Sequence, residues 1–157
     1  MKLLSLFLGF VVCASVSSAQ RPNIIIILSD DHGYTDLGIH GVDPNVQTPA
    51  MDRLASKGAL MKFGYSTAPQ CVPSRAGLMS GRVQNTFGLR GNGDSDEPIP
   101  AEVPTIAERI KALGGYRTGF VGKWHLGKED NAPGSRGFDD YVDGSMNRYT
   151  ANFDLSG

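Results

Sequence analysis

From residue 23 the chain reads Asn-Ile-Ile-Ile-Ile-Leu and then turns polar at Ser29-Asp30-Asp31-His32-Gly33. An apolar run of that length with no polar interruption predicts a strand covered on both faces, as in a parallel sheet. Thr48-Pro49 then opens a helix through Leu54, with proline at the first helical position and Gly58 as its stop. Leu60–Tyr65 is a second strand candidate. A second helix is expected over Ser74–Met79, preceded by Pro73. Pro104-Thr105 starts a third, because Ile106, Ala107, Ile110 and Leu113 recur at helical spacing before Gly114-Gly115. Arg117–Gly122 and Phe138–Val142 complete the strands. Strands alternating with helices predict an α/β fold, with a mainly parallel central sheet and helices on both faces.

The first residues, MKLLSLFLGFVVCASVSSAQ, have a different pattern. Lys2 gives a positive start, Leu3–Val12 an apolar stretch, and Ser17-Ser18-Ala19 a small-residue cleavage site. The apolar stretch is short for a bilayer core of about 30 Å. The expectation is therefore a signal peptide over residues 1–19, an exported mature chain from Gln20 to Gly157, and no membrane span once the signal is removed. Export admits a periplasmic, extracellular or secretory-pathway and lysosomal destination. Val12 is too bulky for the residue that precedes a lipid-bearing cysteine, which argues against lipid attachment at Cys13.

Composition adds two constraints. The 157 residues are 40% hydrophobic and 20% charged, with a formal net charge of -1, as expected of one globular domain. That balance gives no support for a nucleic-acid partner held by bulk charge. The two cysteines are Cys13 and Cys71, so signal removal leaves Cys71 alone in an oxidising compartment. A solitary exported cysteine implies an intermolecular disulfide, a reactive thiol or a modified residue, against the ordinary alternative of an inert buried thiol.

Three segments could carry chemistry. Asp30-Asp31 follows the first predicted strand, where open α/β sheets bind ligands. Two adjacent carboxylates repel, and a hard divalent cation such as calcium or magnesium relieves them. A solvated polar turn would read the same way. Cys71-Val72-Pro73-Ser74-Arg75 places a cysteine at the positive end of a predicted helix with an arginine nearby, and both favour negative charge at residue 71. Gly122-Lys123-Trp124-His125-Leu126-Gly127 follows a strand, and side-chain alternation in an extended segment puts Lys123 and His125 on one side. Lysine suits a sulfate or phosphate, and histidine suits proton transfer near neutral pH. Two surface residues flanking a half-buried tryptophan would fit that hexapeptide equally well.

Taken together, PNIIIILSDDHGYTDLG, TPAMDRLASKGALM, CVPSRAGLMSGR and GYRTGFVGKWHLG resemble, in order, the sulfatase family of the alkaline phosphatase superfamily. The resemblance runs from Pro22 onward, and the C-x-P-S-R core with its trailing Ser-Gly-Arg is the most specific part. It implies that a formylglycine-generating enzyme oxidises Cys71 to the aldehyde formylglycine, reading Pro73 and Arg75 before the chain folds. It further implies a hydrolase of sulfate esters, aryl or carbohydrate. The aldehyde hydrates, one hydroxyl attacks sulfur and releases the alcohol, and deprotonation of the other re-forms the carbonyl and expels sulfate. A serine could form the sulfo-enzyme but would lack that exit. The family's cation, calcium with magnesium as the alternative, would be held by Asp30, Asp31 and modified Cys71. Arg75 would steady the hydrated aldehyde, Lys123 would bridge it to the sulfate oxygens, and His125 would assist its deprotonation.

The resemblance is to the amino-terminal portion of the family. Its later metal ligands, the histidine that protonates the leaving oxygen and a further lysine have no counterpart, and neither His32 nor His40 matches that histidine. A calcium shell asks for roughly six to eight oxygens, so the expectation for this chain alone is little activity and a tendency to aggregate. Two other readings stand beside it: a phosphonate or phosphodiester hydrolase sharing the signature, and a non-catalytic fragment that binds anions or metal.

Overall fold

The computed structural model describes residues 21–94, 99–145 and 148–152. The expected signal peptide lies outside the described residues. The chain divides into two units, one ending at His32 and the other beginning at Gly33.

In the first unit, Ile24–Leu28 forms no ladder with another strand, and its side chains are 52 to 83% exposed. This corrects the expectation of a doubly covered strand. An apolar run is buried only where flanking strands take its amide and carbonyl groups and helices cover its faces; among the described residues nothing pairs with it.

Among the described residues the second unit carries three α-helices, α1 (Pro49–Lys57), α2 (Cys71–Ser80) and α3 (Ile106–Ala112), and three strands, β1 (Gly119–Gly122), β2 (Asp140–Ser145) and β3 (Arg148–Asn152). The sheet order is β1-β2-β3, with β1 parallel to β2 and β3 antiparallel to β2. Gly119 faces Asp140 at one end of the parallel pair, and Tyr141 faces Asn152 in the antiparallel one. The parallel pair is the α/β feature that the pattern predicted, whereas β3 was not anticipated.

Helix ends follow local chemistry. Thr48 and Gly58 flank α1 as N- and C-cap, with Pro49 at its first position. Thr105 caps α3: its Oγ1 accepts from the Glu108 amide (3.2 Å), while Glu108 Oε2 accepts from the Thr105 amide (2.6 Å). This reciprocal box satisfies two donors that a helix start leaves orphaned. Leu60–Tyr65, expected as a strand, is irregular and open, with Met61, Phe63 and Tyr65 all well exposed. Its apolar residues have no sheet to join, so their β-propensity goes unused.

The core gathers Val72, Ala76 and Met79 of α2 with Leu89, Ile99, Val103, Trp124 and Leu126, bordered by Phe87, Ile106, Phe120 and Phe138. Phe120, Trp124 and Phe138 meet with ring centroids 5.3 to 5.9 Å apart, in the tilted and edge-on arrangements that aromatic quadrupoles favour. Each large side chain removed from water here contributes about 1.5–3 kcal/mol.

A polar seam ties α3 to the loop segments that carry Ile99, Val103 and Arg136. The buried Arg136 donates to the Ile99 and Val103 carbonyls and to Glu108 Oε1 at 3.0 Å. Burial pushes the Glu108 pKa up, but the Arg136 and Thr105 hydrogen bonds outweigh it and hold the carboxyl below its usual range. Gly137 sits against this seam at φ 97, where a Cβ would lie 2.6 Å from the Glu108 amide nitrogen. Only glycine satisfies both the angle and the approach.

Candidate active site

The site is built on the first turn of α2. Its N-cap, Gln70, has extended angles (φ -111, ψ 155), and Cys71 is the first helical residue. Pro73, expected to precede the helix, lies inside it. The first turn has no intrahelical acceptor for its amides, so a proline there forfeits nothing. Gly81 closes the helix in the left-handed conformation, its amide bonded to the Gly77 carbonyl. Val72, Pro73, Arg75, Ala76, Gly77, Met79 and Ser80 are all buried, so α2 is gripped on nearly every side. Gly77 allows part of that grip: a Cβ there would stand 2.2 Å from Thr67 Oγ1. Cys71 is half-buried and forms no disulfide.

The second contribution follows β1. Trp124 is locked by two hydrogen bonds, its amide to Asp143 Oδ1 (3.2 Å) and its indole Nε1 to the Asn131 carbonyl (2.8 Å). Trp124 and Leu126 go into the core while Lys123 and His125 stay half-buried, which is the alternation expected of an extended segment. The backbone departs from extended geometry at His125, where φ is 60.

These two segments meet. Lys123 Nζ lies 3.4 Å from Cys71 Sγ and donates to it. Arg75, only 8% exposed, sends a guanidinium nitrogen to the Lys123 carbonyl. An ammonium is thus set against the side chain of residue 71 by a helix-to-loop tether 48 residues apart in sequence. Such an arrangement can hold a tetrahedral oxyanion over residue 71, with charge supplied by Lys123 and position by Arg75.

Asp30 and Asp31 belong to the first unit, both exposed, with Asp31 at φ 50. Beside them His32 Nδ1 lies 2.9 Å from Ser29 Oγ. His40 stacks on Tyr34, centroids 4.0 Å apart, within the second unit. Gln70, Asn92 and Asp143 were not singled out from sequence. Asn92 and Asp143 act across 20 and 19 residues, and a polar residue on a loop gives no advance sign of such a partner.

Residues 22–154 match the family profile described as Sulfatase. The chain belongs to the sulfatase family. Curated sulfatase relatives include mouse arylsulfatase J, 35% identical over 145 residues, covering 87% of this chain and 24% of that protein. Mouse N-acetylgalactosamine-6-sulfatase is 35% identical over 161 residues, 96% of this chain and 31% of the relative. Human arylsulfatase A is 40% identical over 119 residues, 74% and 23% respectively. Among solved structures, that of Ps i-CgsB superposes with a TM-score of 0.73 at 38% identity, covering 79% of this chain and 28% of that one. The BT33336S-sulf structure, from work titled as glycosaminoglycan metabolism in Bacteroides thetaiotaomicron, gives 0.70 at 35% identity with the same coverage. The chain therefore spans about a quarter to a third of the length of its sulfatase relatives. Among the described residues no helix is long and apolar enough to cross a membrane.

Proposed function

We propose that this sulfatase chain supplies the nucleophile half of an active site that hydrolyses sulfate esters, with residue 71 acting as formylglycine. The observation that carries this reading is the 3.4 Å approach of Lys123 Nζ to Cys71 Sγ. An ammonium aimed at the reacting atom serves an anionic substrate and has no purpose beside an inert thiol. The hydrated aldehyde supplies two hydroxyls on one carbon, one to attack sulfur and one to expel sulfate by re-forming the carbonyl. Around it, Lys123 draws in the sulfate oxygens, Arg75 fixes the segment that carries Lys123, and His125 takes the proton from the second hydroxyl as the carbonyl re-forms and sulfate leaves.

Asp30 and Asp31 offer oxygen donors only, which fits calcium or magnesium rather than a softer metal. They would hold the cation that the sulfatase reading requires, a Lewis acid of the kind that lowers the pKa of a bound hydroxyl. Export through a signal segment at residues 1–19 belongs to the same reading, and amino-terminal sequencing of the secreted chain should begin near Gln20.

The test is co-expression with a formylglycine-generating enzyme. The tryptic peptide containing residue 71 should then carry the aldehyde, and whatever aryl-sulfate turnover the chain shows should vanish in Cys71→Ser. Intact cysteine in material made beside a competent maturation enzyme would overturn the reading. Faster cleavage of a phosphodiester than of the aryl sulfate would replace it with the phosphodiesterase alternative.

A further inference from the structure

The start of α2 is not capped by its own N-cap residue. Gln70 makes no side-chain bond to the helix amides, and glutamine is not among the residues that fill that position well. The Val72 amide is taken instead by Asn92 Oδ1, 3.1 Å away and 20 residues further along the chain. Gln70 Oε1 in turn accepts from the Asn92 amide at 3.0 Å. Two hydrogen bonds thus close a ring between the residue before Cys71 and the one after it. The approach is tight: a Cβ on Gly91 would lie 3.1 Å from Gln70 Oε1. Further along the first turn, Pro73 has no amide hydrogen and the Ser74 amide bonds the Gln70 carbonyl at 3.1 Å.

We infer that Asn92 is a positioning residue, a cap delivered from a distant loop that fixes the backbone on both sides of residue 71 and so aims its side chain at Lys123. Its consequence for the reaction rests on the sulfatase reading. The capping itself does not. Cys71 is the first residue of the helix, where fraying is easiest. Holding its neighbours on either side removes that freedom at the position where the reacting atom must be placed.

Amide hydrogen exchange and the NMR signature of Cβ-labelled Cys71 test this in the full chain. In Asn92→Ala the Val72 amide should exchange about fivefold faster, the scale of a lost cap, while the Leu89 amide in the core is unchanged. The two Cys71 β-proton shifts should draw together as the side chain begins to average over rotamers. Gln70→Ala should reproduce both effects, and the double variant should add little. Asn92→Asp keeps the acceptor and should restore both signatures, so a variant that merely folds badly is told apart. Unchanged Val72 exchange in Asn92→Ala overturns the inference, as does faster exchange with unaltered Cys71 β-protons. If residue 71 stays an intact cysteine in material made beside a formylglycine-generating enzyme, the sulfatase reading falls, while the exchange and Cβ signatures still decide the cap.

Discussion

His125 pays for its place in backbone strain. With Asp31 and Glu129 it is one of the non-glycine residues at positive φ among those described, a conformation costing an ordinary residue roughly 1–2 kcal/mol. Asp31 and His125 are also two of the positions singled out for chemistry, and strained backbone gathers where geometry serves function. His125→Gly should therefore leave urea stability unchanged or raised by up to about 1 kcal/mol, while any sulfate-ester turnover that the proposed function entails collapses. His125→Ala should lower both, so the pair separates backbone from imidazole. Arg75 gives a second contrast. Its guanidinium reaches the Lys123 carbonyl from a buried start, which a lysine cannot reproduce in direction. Under the proposed function, Arg75→Lys should cost ten- to a hundredfold in any sulfate-ester kcat, as expected when a reacting group shifts by about 1 Å, with only a small fall in melting temperature. Cys71, Arg75, Lys123 and His125 stand out in the sequence as residue types in tight motifs, and the fold sets Lys123 Nζ against Cys71 Sγ. What could not be read was Arg75 serving the Lys123 carbonyl, or Asn92 serving α2, because both depend on chain segments that only tertiary structure brings together.

At the scale of elements, the joint between α3 and the β1–β2 pair is the most informative. Asp139 accepts from Lys111 Nζ at 2.6 Å and from the Thr118 amide at 2.9 Å. The Lys111 bond first, and the Thr118 amide next, depress its pKa to about 2. A carboxyl whose folded pKa is depressed adds stability above its unfolded value near 4, and that contribution fades as the pH falls from about 4 to about 2. Urea midpoints of wild type and Asp139→Asn should therefore differ most above pH 5 and converge near pH 2. Thr105→Val removes the Glu108 cap and the bond to the Arg136 carbonyl (2.8 Å), and should cost more than the roughly 1 kcal/mol of a cap alone. The helices were readable because Thr48, Gly58 and Thr105 announce their ends in a few residues. The strands were less so. Gly119–Gly122 starts two residues later than Arg117, since Thr118 is engaged with Asp139 and Gly137 rather than with a ladder. Leu60–Tyr65 shows that strand-like composition does not supply a strand partner.

For the molecule as a whole, the unpartnered apolar surface has a measurable effect. Ile24–Leu28 in one unit, and Met61, Phe63, Tyr65 and Val121 in the other, face solvent, and among the described residues β1 is an edge of its sheet. Surfaces of this kind bind hydrophobic dyes and recruit other chains. The purified chain should enhance anilinonaphthalene sulfonate fluorescence and self-associate with rising concentration. Ile25→Lys with Ile27→Lys should reduce both, as read by fluorescence and light scattering; no change would place the adhesive surface elsewhere.

The grip on α2 also imposes a chronology. Once the helix has closed, Val72, Pro73, Arg75 and Ala76 are sealed within it, and no other macromolecule can hold that stretch unrolled. Anything that must grasp those neighbours in order to alter residue 71 has only the interval before closure. If residue 71 is converted as proposed, slowing the collapse of this one turn would lengthen that interval, and hastening it would strand the side chain in its original form.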